Sequence, residues 1–223
     1  MSIDITFLGH SGFLLSDGTH SLVIDPFLTG NPLATISPQQ LSCDYLALTH
    51  GHADHIGDTV DIAGRSGATV IAAFEICNWL GEQGLQKLEP GNHGGTIVTA
   101  FGSVAFTKAY HSSSYEGRYM GMPAGLVVQM GGHTFYHAGD TDIFGDMALI
   151  GEIYRPDVVA LPVGDRFTMG PEQASRACDM LGAELAIPIH YRTFDLLRQD
   201  AVGFNPAKAA VLQLNPGDTH RLD

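Results

Sequence analysis

The chain has 223 residues, 44% of them hydrophobic and 9% aromatic, which excludes a disordered or low-complexity protein. Charged residues make up 16%, against about 25% in an average soluble protein, while glycine reaches 27 residues. That balance points to many tight turns and to a β or mixed α/β fold. With 24 acidic against 11 basic side chains the formal charge is −13. This argues against broad capture of nucleic acid or of an anionic membrane, both of which need a basic footprint.

The opening residues Met1 to Phe7 carry no leader signature, and no run of about 18 apolar residues occurs, so a cytoplasmic protein that does not cross a membrane is expected. Short apolar or alternating runs at Ile3–Leu8, Gly12–Leu15 and Leu22–Ile24 predict strands, separated by turns at Gly9-His10-Ser11-Gly12 and Ser16-Asp17-Gly18-Thr19. A Pro/Gly-rich crossing from Pro26 to Pro38 leads to Tyr45–Thr49, a continuous apolar run that predicts a strand covered on both faces. A helix over Ile56–Arg65, a strand at Ala68–Ala72 and a helix near Phe74–Gly81 follow in βαβ order. The middle returns to strands at Gly95–Ala100, Ser103–Ala109, Ala124–Met130 and His133–Tyr136. Then come a helix near Phe144–Tyr154, a strand at Val158–Pro162, a helix at Pro171–Leu181 and a strand at Leu185–Ile189. The Pro171 helix has proline in its first turn and Gly182 as its stop. The order is β-rich then α/β, twice over. Two packed sheets with helices outside would satisfy it within one domain, residues 1–223.

Cys43, Cys77 and Cys178 are widely spaced in apolar stretches and read as buried free thiols. The chemistry lies in Thr49-His50-Gly51-His52-Ala53-Asp54-His55, directly after the covered strand. Three histidines and one aspartate within six residues have little structural use. The alternative, a polar surface loop, leaves that concentration unexplained. Neutral imidazole and carboxylate suit Zn²⁺ and other first-row ions, with His50 and His52 turned to one ion and Asp54 and His55 to a second.

His50–His55 resembles the metal motif of the metallo-β-lactamase-fold hydrolase superfamily. The resemblance extends through Tyr110-His111-Ser112, Tyr136-His137-Ala138-Gly139-Asp140-Thr141 and Pro188-Ile189-His190-Tyr191, and so spans essentially the whole chain. It implies a four-layer αβ/βα sandwich with two metals at one edge of the sheets. His50, His52 and His111 would hold one ion, Asp54, His55 and His190 the other, and Asp140 would bridge them. Leu8–Gly12, Ile24-Asp25-Pro26, Phe167–Pro171 and Ile187–Tyr191 are similar to a branch of short metal-dependent hydrolases akin to the ascorbate-6-phosphate lactonases.

Two ions about 3.5–4 Å apart would share a water and lower its pKa from about 15.7 towards roughly 7, giving a bridging hydroxide as nucleophile. Asp54 would also accept the water's proton and pass it to the leaving group. Zinc is the first expectation, with manganese, iron and nickel open. The expected activity is hydrolysis of a small ester, lactone or phosphoester, of lactonase or phosphodiesterase type. Nuclease-type activity and a non-catalytic metal-sensing role are the alternatives. A diiron oxidoreductase of this fold would carry an acid where His52 stands and a flavin module.

His10, Arg166 and Arg192 are the expected substrate contacts, the arginines matching a small anionic substrate. Asp25 is expected either to hold a ligand imidazole or to cap a turn, and His137 and Thr141 to support the structure around Asp140. His20, His93, His133 and His220 follow no ligand spacing, and Trp79 reads as core. Homo-oligomerisation stays open.

Overall fold

Ile3, Ile5 and Phe7 are buried and alternate with half-buried Asp4 and Thr6, so β1 (Ile3–Gly9) covers one face and opens the other, as the two-residue period of a strand requires. The structure is a computed structural model and describes residues 2–223. Met1, at the start of the segment read for a leader, lies outside them. β2 (Gly12–Ser16) and β3 (Ser21–Ile24) complete an antiparallel meander with β1. The chain crosses through a single 3-10 turn at Pro38–Gln40 to β4 (Tyr45–Ala47), parallel to β3. It continues through α1 (Ala53–Ile56), α2 (Thr59–Ser66), β5 (Thr69–Ala73), α3 (Phe74–Glu82) and β6 (Leu88–Gly91).

The second half repeats the plan. β7 (Thr96–Thr99), β8 (Gly102–Lys108), a small hairpin of β9 (Ser114–Tyr115) and β10 (Arg118–Tyr119), β11 (Ala124–Met130) and β12 (His133–His137) are antiparallel. After them come α4 (Met147–Tyr154), β13 (Val158–Pro162), α5 (Pro171–Leu181), β14 (Leu185–Ile189), β15 (Ala210–Val211) and β16 (Thr219–Leu222). One sheet runs β16-β1-β2-β3-β4-β5-β6 and the other β15-β14-β13-β12-β11-β8-β7.

Apolar packing divides into three layers. Ile5, Phe13, Leu15 and Ile24 of the first sheet meet Phe106, Leu126, Val128 and Phe135 of the second. On the outer face of the first sheet, Val23, Leu46 and Val70 pack against Ile62, Ile76 and Leu80 of α2 and α3. On that of the second, Val159, Leu161 and Ala186 pack against Met147 of α4 and Ala174, Cys178 and Leu181 of α5. The result is the four-layer αβ/βα sandwich, in which each fully buried large side chain contributes about 1.5–3 kcal/mol. A polar tie crosses the middle: His137 Nε2–H donates to the Ser11 carbonyl at 2.8 Å, and its Nδ1 accepts the Gly139 N–H at 3.0 Å.

Two expectations change. The helix read over Ile56–Arg65 is two helices, α1 and α2, because Gly57 sits at φ +44 against the Pro26 carbonyl. A Cβ there would lie 2.3 Å from that oxygen, so the position admits only glycine and the helix stops. The helix read over Phe144–Tyr154 begins at Met147. Strands β6, β9, β10, β15 and β16 are additions. Cys43, Cys77 and Cys178 are buried free thiols, each pushed up to about 12 by burial. Trp79 packs at the margin of the α2/α3 layer, its ring 5.0 Å from that of Tyr115. No helix among the described residues is long and apolar enough to cross a membrane.

Candidate metal centre

The histidines gather at one edge of the sandwich because the segments that carry them leave strand ends there. His50 and His52 follow β4, and the single turn of α1 carries Asp54 and His55. His111 follows β8, Asp140 follows β12 and His190 follows β14, while His10 stands in the turn between β1 and β2. The spacer Gly51 is dictated by packing: a Cβ there would meet the Met120 side chain at 2.2 Å.

Two groups of ligand atoms form, each with all atoms within 4.8 Å of one another. One is His50, His52, His111 and Asp140, and the other is His10, Asp54, His55 and His190. Asp140 lies against both. Its Oδ2 is 3.0 Å from His190 Nε2, 3.5 Å from His111 Nε2 and 4.0 Å from His50 Nε2, and its Oδ1 is 3.4 Å from His55 Nε2. The structure thus brings together all seven residues of the expected ligand set, and adds His10.

Hydrogen bonds behind the rings decide which nitrogens face inward. The buried Asp25 carboxylate accepts the Thr49 N–H at 2.9 Å, the Thr49 hydroxyl at 2.6 Å and His55 Nδ1–H at 2.7 Å. Since the Thr49 hydroxyl proton goes to Asp25, its oxygen accepts His50 Nδ1–H at 3.0 Å. Both rings therefore turn Nε2 inward, the arrangement by which a carboxylate or hydroxyl orients a ligating imidazole. His50 Nε2 faces His52 Nδ1 at 3.0 Å, and His52 Nε2 lies 3.2 Å from Ser112 Oγ. Of the two roles expected for Asp25, the structure shows the imidazole contact. Thr141 ties the Asp140 loop to the His111 loop by accepting the Tyr110 N–H at 2.9 Å.

The fit to cations can be read from atoms left without partners. Among the described residues, His55 Nε2, Asp140 Oδ1 and both ring nitrogens of His190 are buried with no hydrogen bond. Each such group costs about 1–3 kcal/mol, a penalty that a bound cation removes where it faces them. Electrostatics agree. Burial pushes the Asp140 carboxyl up, but His190 and His55 hold it well below the usual carboxylate range. Burial pushes His55 down, and Asp140 with Asp25 raises it well above its ordinary value, so this pair of carboxylates favours a positive charge on the ring, one that a cation bound in front of Nε2 would replace. Burial lowers His50, with His55 adding to the effect against the pull of Asp140, and so keeps the ring neutral and available as a ligand. Imidazole nitrogens with carboxylate oxygens form a donor set that fits first-row divalent ions, zinc included.

The expected substrate contacts fare differently. His10 is 1% exposed, its ring walled by Phe27 at 5.7 Å, Phe194 at 5.5 Å and His190 at 4.2 Å, so it has no open edge from which to meet a substrate. Arg166 is exposed over the Phe167 ring at 5.7 Å. Arg192 is half-buried two residues after His190, and neither guanidinium has an ion pair among the described residues. Thr49, Thr193 and Ser112 were not singled out from the sequence; their only signal there is proximity to a histidine or to the His190 segment. His93 lies outside both groups, its ring 2.8 Å from the Pro123 carbonyl, and so do His20, His133 and His220.

Residues 20–191 match the family described as the β-lactamase superfamily domain. The chain is 42% identical over 228 residues to the UPF0173 metal-dependent hydrolase of Methanosarcina barkeri, covering 98% of each chain. It is 44% identical over 226 residues to the UPF0173 metal-dependent hydrolase of Thermus thermophilus, covering 99% of this chain and 100% of the other. Among solved structures, Igni18, a metallo hydrolase from the archaeon Ignicoccus hospitalis, superposes with a TM-score of 0.88 at 34% identity, over 100% of this chain and 99% of that one.

Proposed function

The chain belongs to the β-lactamase superfamily, among its metal-dependent hydrolases, and from that membership we propose that it holds two divalent ions and hydrolyses a small ester, lactone or phosphoester. The observation that carries the two-ion reading is Asp140, whose carboxylate lies within 4.0 Å of ring nitrogens from both ligand groups. Bound divalent ions supply an acidified water and polarise the carbonyl or phosphoryl oxygen under attack. Zinc is the first choice for so nitrogen-rich a set, with manganese, iron and nickel as alternatives.

The protein's own groups do the rest. Asp25 and Thr49 hold His55 and His50 in one tautomer and one orientation. Asp54 is the accessible carboxylate, its side chain 27% exposed against 3% for Asp140. Burial pushes the Asp54 carboxyl up, yet the histidines around it hold it well below the usual range, so it stays ionised. A carboxylate in that state accepts the proton released by the attacking water and delivers it to the leaving group. Arg166 and Arg192, on loops that follow β13 and β14, carry cations without an ion pair among the described residues, suited to a phosphate or carboxylate on the substrate. We place this single-domain enzyme in the cytoplasm, where a reducing environment suits its three buried free thiols.

Elemental analysis of purified protein, followed by a panel of lactone, carboxylic ester and phosphodiester substrates, tests this. Near two ions per chain and metal-dependent turnover of one class are expected. One ion or none after reloading would overturn the two-ion reading. Two ions without turnover of any class would move the weight to a sensing role.

A further inference from the structure

His10 stands in a tight turn, a place where histidine usually faces water, yet its side chain is fully shut off from solvent. Its φ of +56 lies in the left-handed region, which costs a non-glycine residue about 1 kcal/mol or more and persists where surrounding contacts enforce it. The enforcing contact is visible: the His190 N–H donates to the His10 carbonyl at 2.7 Å, and His190 is itself at φ +57. Two strained histidines, one from each sheet, are thus locked back to back with their rings 4.2 Å apart.

The proton inventory around His10 leaves one nitrogen without a use. A neutral imidazole carries one ring proton, and each nitrogen of His10 faces a single polar side chain. Nδ1 lies 2.8 Å from Thr193 Oγ1, and the Thr193 hydroxyl donates to the Tyr191 carbonyl at 3.3 Å. With its own proton spent there, Thr193 accepts from Nδ1–H, and His10 Nε2 is left as a bare lone pair. That lone pair lies 3.1 Å from Asp54 Oδ2, an acceptor on an ionised carboxylate. Two acceptors that close, with no proton between them, repel unless a cation faces both.

We propose that His10 binds the second ion through Nε2, as a fourth side chain beside Asp54, His55 and His190. The proposal rests on the two-ion reading above and extends its ligand set by a residue from the opposite sheet. It makes the β1–β2 turn part of the metal site, and it fixes His10 in the Nδ1–H tautomer through Thr193.

The test loads the ¹⁵N-histidine-labelled protein with ¹¹³Cd²⁺ and reads scalar coupling between metal and ring nitrogen, which passes only through a bond. The expected result is coupling at His10 Nε2, as at His55 and His190, with the His10 ring proton on Nδ1. The His10 signals are identified by their loss in His10→Gln or, if that variant does not fold, by correlation to the ring carbons in the unaltered protein. Coupling at His55 and His190 with a proton on His10 Nε2 would overturn this proposal and leave the two-ion reading intact. Absence of coupling at all three would sink the two-ion reading itself. In chelator competition, His10→Gln should weaken the second Cd²⁺ by about 10–100-fold and leave the first unchanged, a range borrowed from losses at other metal sites; equal affinities would count against the bond.

Discussion

Asp25 and His55, 30 residues apart in the chain, meet through a 2.7 Å hydrogen bond from Nδ1–H to Oδ2, both side chains wholly buried. The same carboxylate receives the N–H and hydroxyl of Thr49, so one residue at the end of β3 sets ring positions for both ligand groups. Asp25→Asn puts an amide where three donors converge and leaves at least one of them without an acceptor. Metal affinity should fall by about 10–100-fold, as it does when the partner of a ligating histidine is removed elsewhere. Competition against a chelator reads this directly. Unchanged affinity would mean that packing alone orients the His55 ring.

Asp140 makes the stronger demand. Removing a carboxylate that faces His50, His111, His55 and His190 deprives both groups of an anionic ligand at once. Asp140→Ala should lose both ions in elemental analysis and keep the fold by circular dichroism. Retention of one full ion would show that the carboxylate serves a single site.

Much of this centre was legible in the sequence, because metal chemistry restricts residue type as well as spacing. His50, His52, Asp54 and His55 have no competing structural use so close together, and each later ligand follows an apolar strand. The strands with clean apolar runs, such as β13 and β14, were equally legible. What escaped was non-local. β16 pairs with β1 across the length of the chain, Ile3 opposite Leu222, and no periodicity encodes that partner. Gly57 interrupts a helical pattern for the sake of the Pro26 carbonyl, a contact made only in the fold. The Gly-flanked turn of His10 suggests a residue that reaches the metal mouth from the opposite sheet edge, as it does, but the burial of its ring comes from Phe27, Phe194 and His190, contacts made only in the fold.

His137 gives the protein a pH limit independent of activity. Burial first, opposed in part by Asp25, holds its imidazole below the ordinary 6.5. A second proton would also displace the Gly139 N–H from Nδ1. Above about pH 6.5 the ring is neutral in folded and unfolded chains alike, and stability does not depend on it. Below that value the unfolded chain takes a proton that the folded chain refuses, so stability falls, by up to about 1.4 kcal/mol per pH unit for this one group. Urea unfolding of metal-free protein between about pH 7 and 5.5 should show the decline, with a shallower slope in His137→Gln. Equal slopes would place the titration elsewhere.

Gly57→Ala tests the break between α1 and α2. The new Cβ would lie 2.3 Å from the Pro26 carbonyl oxygen at a left-handed φ, and both neighbours are backbone that must move. A loss of about 2–4 kcal/mol is expected, within the range for strain at a special backbone position. For a chain of this length that lowers Tm by about 5–15 °C in a thermal melt. A shift below about 2 °C would mean that the crossing loop yields at little cost.

Arg192 carries the anionic-substrate reading. The residue is half-buried, its guanidinium has no ion pair among the described residues, and the next residue, Thr193, holds the His10 ring. The Arg192 N–H donates to the Arg198 carbonyl at 2.8 Å, and that backbone bond remains when the side chain is removed. Arg192→Ala should therefore keep its metal content and its turnover of a neutral lactone. For a substrate bearing phosphate or carboxylate, KM should rise by about 10–100-fold, the worth of one hydrogen bond to a charged group. Parallel kinetics on a neutral and an anionic substrate of the same size separate the outcomes. An equal loss on both would show that Arg192 supports the His190 loop and does not select charge.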